Sequence, residues 1–558
     1  MAVLLRRVRR APRGAGGLTA SLLVAALLAP PAARPAAARS APAHAAARQA
    51  VASTRADTAP PPAPDSGRTP APLDRRDLAR RLDALLDDPA LAHAHVGLDV
   101  AVAETGERLY ARSAEKRFTT ASTTKLIVSS VALDRLGAGY RWETRALAAR
   151  RPRGGALSGD LWLVGGGDPS LDEGDLRTLA GRLRARGVRR IRGDVVGDDR
   201  RFEPPRWGRG WMWDDLAGGW ASGVSGLELH PGRVRALLRP GADAGDPATL
   251  VLEDPGPTLP LELRVRTGAP GSEPRLRFLP GPGPVPESAV LSGWIPADAD
   301  SVPLYLATDH PTSYLLARVA SVLADSGIRV DGAFRRVRPD EPVPDAAWAD
   351  TLRSDSLGAV LREMLHPSDN AMAESLLRTL GAEEGRSGSD VEGLRVERET
   401  LSEWGVDPDA YELTDGSGMS RYDEVTPAAL VRVLRTLWRR PDFEVFDAAL
   451  PAPAESGTLS GRLGGVPASG AVRAKTGSLA SVRGLAGYVT AGDGETLVFA
   501  LLLNGYSAPG DVAEALRDLL VEQLSLYRRP VVPGWPSVRG EGGGRSGTRG
   551  AGGGGGRP

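Results

Sequence analysis

Ser122-Thr123-Thr124-Lys125-Leu126-Ile127-Val128 places a hydroxyl and an amine at the head of an apolar-rich run that continues through Val131, Leu133 and Leu136. The spacing predicts a helix that Gly137 can end. If Ser122 opens that helix, Lys125 lies about one turn later on the same face, within reach of the hydroxyl. A serine hydroxyl is a weak nucleophile that needs an adjacent base, and a helix N-terminus favours developing negative charge. Taken alone, the same residues suit an N-capping serine followed by a solvated lysine. Lysine usage makes the position informative. The chain has 70 Lys and Arg together, yet its only lysines are Lys116, Lys125 and Lys475. A guanidinium stays protonated at ordinary pH, whereas a desolvated ammonium can lose its proton, so Arg cannot replace Lys as a base.

Two further motifs follow in order. Ser368-Asp369-Asn370 falls between two helical segments, 357–365 and 371–380. After Pro367 it reads either as an ordinary helix start or as a second hydroxyl with an amide beside it. Lys475-Thr476-Gly477-Ser478 continues a β-like run. A strand there could present a cation and hydroxyls to a carboxylate, with Gly477 allowing close backbone approach. The gap from the first motif to the second is more than twice that from the second to the third.

Working outward, 558 residues at 41% hydrophobic content can bury a large core and imply two or three domains. A net charge of +1 gives no reason to expect a nucleic acid partner. The absence of cysteine excludes disulfides, thiolate zinc sites and a lipidated cysteine. Within residues 1–38, five arginines at 6–13 precede an apolar run at 18–29 and then the small residues Ala36 to Ala38, the order of a secretory signal peptide. No other segment reaches the roughly 20 apolar residues of a membrane span, so the expectation is an exported protein of the periplasm or extracellular envelope. Residues 39–72, rich in Ala and Pro, read as a disordered linker, and 531–558, rich in Gly and Arg, as a disordered tail.

Between them, residues 73–145 should form the first part of a folded domain. Asp74 caps a helix with Leu78, Leu82, Leu85 and Leu86 on one face, and a hairpin turns at Thr105-Gly106. Residues 146–301 contain short β-like runs at 161–164, 249–252 and 261–265 and read as inserted domains. Residues 302–530 return to helical spacing at Leu315, Leu316, Val319, Val322 and Leu323. They close with a hairpin of 484–490 and 496–503 around Gly492-Asp493-Gly494.

The three motifs in this order are an established signature of class A β-lactamases and penicillin-binding proteins. The chain resembles the low-molecular-mass class C penicillin-binding proteins, the D-alanyl-D-alanine carboxypeptidase/endopeptidase family. Further matches are Gly165-Gly166-Gly167-Asp168-Pro169-Ser170-Leu171, Gly210-Trp211-Met212-Trp213-Asp214-Asp215 and Asp415-Gly416-Ser417-Gly418-Met419-Ser420-Arg421. The resemblance implies an α/β (α+β) fold: a β-lactamase/transpeptidase-like domain with an antiparallel sheet flanked by helices, interrupted by mainly β inserted domains. It implies Ser122 as the acylated nucleophile, Lys125 as its base, Ser368 with Lys475 as a proton relay, and Asn370 on the substrate amide. Thr476, Gly477 and Ser478 would bind substrate, with backbone N–H groups of Ser122 and Ser478 as the oxyanion hole. Asp215 and Arg421 would hold the amine and carboxylate of a diaminopimelate side chain, or else form a surface ion pair. No metal or organic cofactor is implied. The implied partners are peptidoglycan stem peptides, with β-lactams as covalent inhibitors. Two alternatives share the motifs: a β-lactamase, which must deacylate fast, and a catalytically silent peptidoglycan-binding scaffold.

The six histidines show no metal-ligand spacing that the rest of the chain supports; His93 and His95 share a strand face without a third ligand. His366 could serve a Ser-His-Asp hydrolase, but no G-x-S-x-G elbow frames a serine. The densest basic run, Arg182 to Arg192, shares a helix with Leu176, Leu179 and Leu183 and reads as a solvated helix face.

Overall fold

The computed structural model describes residues 73–253, 258, 260–281, 288–308, 310–453, 455–463 and 472–530. The expected signal peptide, linker and tail lie outside the described residues. Asp74 caps the first helix, Arg75–Leu86, by accepting the N–H groups of Arg76 and Asp77, and Leu78, Leu82 and Leu86 are buried at helical spacing. Leu73 bridges to Tyr527, so the two ends of the described chain meet.

The domain that carries all three motifs is organised by a five-stranded antiparallel sheet. Its order is Arg108–Arg112, His95–Val102, Thr496–Asn504, Val482–Thr490 and Val472–Leu479. Thr496–Asn504 is central and reads as an unbroken apolar run because both of its faces are covered. Val498, Ala500 and Leu502 pack into a core with helices Lys125–Leu136, Asn370–Glu384 and Pro427–Trp438. Leu497, Phe499, Leu501 and Leu503 point the other way, into a core with Arg75–Leu86 and Gly510–Ser525. The period-2 alternation thus feeds two separate cores. Val472–Leu479, which carries the third motif, is an edge strand, paired with Val482–Thr490 on one side only.

The inserted region has its own core. Its larger sheet runs Phe334–Arg336, Val195–Asp198, Leu161–Val164, Glu143–Ala148 and Trp348–Arg353. Helices Glu173–Ala185 and Pro311–Asp325 bury Leu176, Leu179, Leu183, Leu315, Leu316 and Val319 in the core beneath it. Three three-stranded sheets complete the region among the described residues. Glu143–Ala148 pairs with Trp348–Arg353 residue for residue, which carries the unit past the boundary at 301 expected from sequence. The apolar stripe at Leu315 to Leu323 looks the same whichever core it faces, and here it faces the insert. We therefore propose 143–353 as the inserted unit, mostly β with two covering helices. The basic run is only partly a solvated helix face: Arg182 and Arg186, at the end of helix Glu173–Ala185, pair with Asp350 at 3.0 and 2.6 Å, and Arg186 also lies over the Trp348 ring, whereas Arg189, Arg190 and Arg192 lie past the helix, Arg190 in strand Arg190–Ile191.

Candidate active site

Ser122 does not begin the α-helix. It sits in a single 3-10 turn, Ala121–Thr124, that leads into helix Lys125–Leu136, closed by Gly137 at φ 78°. Ala121 adopts φ 49°, a left-handed conformation that costs a non-glycine residue about 1 kcal/mol or more and that surrounding contacts must hold. Thr123 Oγ1 donates to the Thr120 carbonyl at 2.7 Å, and the hydroxyls of Thr120 and Thr124 bond at 2.6 Å. Two other segments press on this turn through glycines. A Cβ on Gly418 would lie 2.0 Å from the Ala121 carbonyl oxygen, and one on Gly477 2.7 Å from that of Thr120. Gly477 is therefore required by the backbone beneath the nucleophile, whatever room it also leaves for a substrate.

Helix Lys125–Leu136, the second motif and the Asp415 loop converge on one amine. Lys125 is fully buried. Its Nζ donates to Ser122 Oγ at 3.0 Å, to Asn370 Oδ1 at 2.6 Å and to the Ser417 carbonyl at 2.6 Å. Burial lowers its pKa to about 8, against the upward pull of Asp415, Asp369, Glu374 and Asp423. An amine in that range can take the serine proton near neutral pH. Lys475 is also fully buried, and among the described residues it donates only to the Thr476 carbonyl, at 2.9 Å. Burial pushes its pKa well below the ordinary value, and the neighbouring cations Lys125 and Arg517 push it further. Thr476 Oγ1 donates to Thr458 Oγ1 at 2.8 Å. Thr458 is held in turn by the His366 carbonyl, and His366 contacts Ser456 through Nδ1 at 3.1 Å. His366 thus supports the third-motif wall and is not a partner of Ser122.

Ser368 precedes helix Asn370–Glu384, which Asp369 caps by accepting the Met372 N–H. Ser368 has φ 65° and lines a cavity of about 90 Å³ with Trp220, Ser222 and Asn370. Its hydroxyl bonds to neither lysine. Asn370 Nδ2 donates to the Trp220 carbonyl at 2.9 Å and approaches Met419 Sδ at 3.0 Å, so one amide joins the base, the insert and the Asp415 loop. That loop is built on Asp415, which accepts the N–H groups of Ser417, Gly418 and Ser420 and the indole of Trp211.

Asp215 and Arg421 stand at the rim. Asp215 accepts from the Trp220 indole at 3.4 Å, and burial raises its pKa while Arg421 pulls it down. Arg421 donates to the Ala480 carbonyl at 3.0 Å, just past Ser478. The structure thus brings Ser122, Lys125 and Asn370 into direct contact and sets Lys475, Thr476 and Gly477 against the Ser122 turn. Asp215 and Arg421 lie near one another without a direct bond. Sequence reading missed Trp220, Thr458 and Glu374. No local pattern marks them, because each acts on a residue far away in the chain.

A serine bonded to a buried lysine at a helix head, under an edge strand carrying a second lysine, defines a serine acyl-transfer enzyme of the β-lactamase/transpeptidase fold. Residues 78–525 match the model of the D-Ala-D-Ala carboxypeptidase 3 (S13) family, and the chain belongs to that family. It is 34% identical to a D-alanyl-D-alanine carboxypeptidase of Actinomadura sp. (strain R39), over 81% of this chain and 85% of that protein. It is 28% identical to D-alanyl-D-alanine carboxypeptidase DacB of Haemophilus influenzae, over 73% and 85%. The crystal structure of penicillin binding protein 4 from Haemophilus influenzae superposes with a TM-score of 0.68 at 25% identity, covering 78% of this chain and 98% of that one.

Proposed function

We propose that this serine D-alanyl-D-alanine carboxypeptidase cleaves peptidoglycan stem peptides through an acyl-enzyme on Ser122. Neutral Lys125 takes the Ser122 proton as Oγ attacks the penultimate D-Ala carbonyl. The tetrahedral oxyanion is received by backbone N–H groups of Ser122 and Ser478, each such donor typically worth about a hundredfold or more in rate. The proton then passes through Ser368 to the leaving amine of the terminal D-Ala, the C–N bond breaks, and water later releases the acyl group. Lys475, with Thr476 and Ser478, receives the terminal carboxylate, and Asn370 the substrate amide. Asp215 and Arg421 hold the amine and carboxylate ends of a diaminopimelate-type side chain.

The observation that carries this reading is the 3.0 Å contact between Ser122 Oγ and a wholly buried Lys125 amine. The same centre accepts the amine of a cross-link as leaving group, which gives endopeptidase action, and captures β-lactams covalently. Glu374 and Asp415 are occupied by loop N–H groups. That favours a persistent β-lactam adduct over the rapid turnover of a β-lactamase. The leader at residues 1–38 supports an exported, wall-facing location, and among the described residues no helix is long and apolar enough to cross a membrane. Fluorescent penicillin labelling of the wild type and Ser122→Ala, paired with D-Ala release from a muropeptide, tests the proposal. Labelling and release are expected only with Ser122 present; equal labelling of both proteins, or binding without release, rejects it.

A further inference from the structure

Helix Asn370–Glu384 carries a buried ion pair that the acylation steps above do not use. Glu374 is wholly buried and Arg378 is 1% exposed. Arg378 Nη1 donates to Glu374 Oε2 at 3.2 Å, one turn away on the helix. Replacing a buried ion pair with apolar residues of similar volume is often neutral or stabilising, so stability alone does not account for this one.

The two partners reach in different directions. Glu374 Oε1 accepts the N–H groups of Gly416 at 3.0 Å and Ser417 at 3.1 Å. The carbonyl of that same Ser417 accepts Lys125 Nζ at 2.6 Å. Arg378 Nη2 donates to the carbonyls of Pro205 at 2.8 Å and Trp207 at 3.4 Å, in the insert segment that leads to Asp215. One side of the pair thus holds the loop that holds the base, and the other holds the insert.

We propose that the Glu374–Arg378 pair is a positioning element that fixes the Lys125 amine and the 205–215 segment of the insert in one frame, and that the Glu374 charge sets the pH range of acylation. This rests on the assignment of Lys125 as the base. The charges around Lys125 are Asp369, Glu374, Asp415 and Asp423 on one side and Lys475 on the other. Glu374 itself faces Asp415, Arg378 and Glu397. Burial and Asp415 raise its pKa to about 7, and Arg378 with the loop N–H groups opposes them. A neutral Glu374 would relax its upward pull on the amine, so acylation would switch on at lower pH.

Glu374→Gln keeps an acceptor for the two N–H groups and removes only the charge. The test is the second-order rate of penicillin acylation, followed by mass spectrometry from pH 6 to 10, in wild type, Glu374→Gln, Arg378→Met and the double variant. Glu374→Gln is expected to move the rising limb down by about half a pH unit or more. Arg378→Met strands the carboxylate without its cation, protonates it, and moves the limb the same way, and the double variant moves it no further. A Glu374→Gln limb at the wild-type pH, with a lower rate at every pH, would overturn the proposal and leave a merely structural pair; that comparison decides even if Arg378→Met does not fold. Ser122→Ala and Lys125→Met run in parallel. If either still acylates at the wild-type rate, the assignment of the nucleophile or base fails, and not the pair alone.

Discussion

On the helical wall of the cleft Lys125 donates to three acceptors and is surrounded by carboxylates; on the strand wall Lys475 donates to one backbone carbonyl and faces cations. Both amines are fully buried, so desolvation acts on each in the same direction. Their neighbours then separate them. Carboxylates hold Lys125 back at about 8, while at Lys475 the cations Lys125 and Arg517 add to the lowering that burial causes. The difference suits one lysine to exchange a proton with Ser122 and leaves the other short of a counter-charge, as the proposed role in binding a substrate carboxylate requires. Two titratable groups whose surroundings push them apart are a common basis for dividing acid, base and binding roles.

The comparison breaks most visibly at Lys125. Lys125→Arg keeps a cation that cannot become neutral, so penicillin acylation should fall by about a thousandfold or more; stopped-flow or mass-spectrometric acylation rates check this. Lys475→Met removes the carboxylate partner, and kcat/KM for D-Ala release should fall about a hundredfold, the worth of a charged hydrogen bond. The same variant removes a fully buried amine whose charged form burial and neighbouring cations disfavour, so calorimetry should show Tm rising by about 2–4 °C.

A pH titration of stability sharpens the contrast. The unfolded chain keeps Lys125 protonated up to its ordinary value near 10.5, whereas the folded chain releases that proton near 8. The unfolded state therefore binds more protons in that window, and stability rises with pH from about 8 to 10.5. For Lys125 the full swing is about 3 kcal/mol. It is read as the part of the wild-type denaturation profile that Lys125→Met abolishes. The smallest effect belongs to the insert surface. Arg182→Ala breaks a half-exposed pair with Asp350 and should cost less than about 1 kcal/mol in urea denaturation, with acylation unchanged.

Much of the catalytic domain was legible because its signals are local. The cap at Asp74, the Asp-Gly hairpin and the helices around Ser368-Asp369-Asn370 each depend on a few consecutive residues. The lysine scarcity pointed to both buried amines. The limits were set by long-range contacts. Nothing near Leu315 says which core its stripe will enter, so the insert ran further than expected. The 3-10 turn at Ser122 depends on Gly418 and Gly477 pressing from distant segments. Asn370 was read as a substrate contact, yet it also bonds Lys125 and the Trp220 carbonyl, which only the folded chain brings together.

The proposed acylation requires an uncharged Lys125 amine to draw the proton from Ser122. The pH dependence of penicillin acylation in the wild type tests it most directly. The rate is predicted to climb about tenfold per pH unit and level off above about 8, with no such rise in Lys125→Arg. A rate that stays flat from pH 6 to 10, or an identical profile in Lys125→Arg, would contradict it.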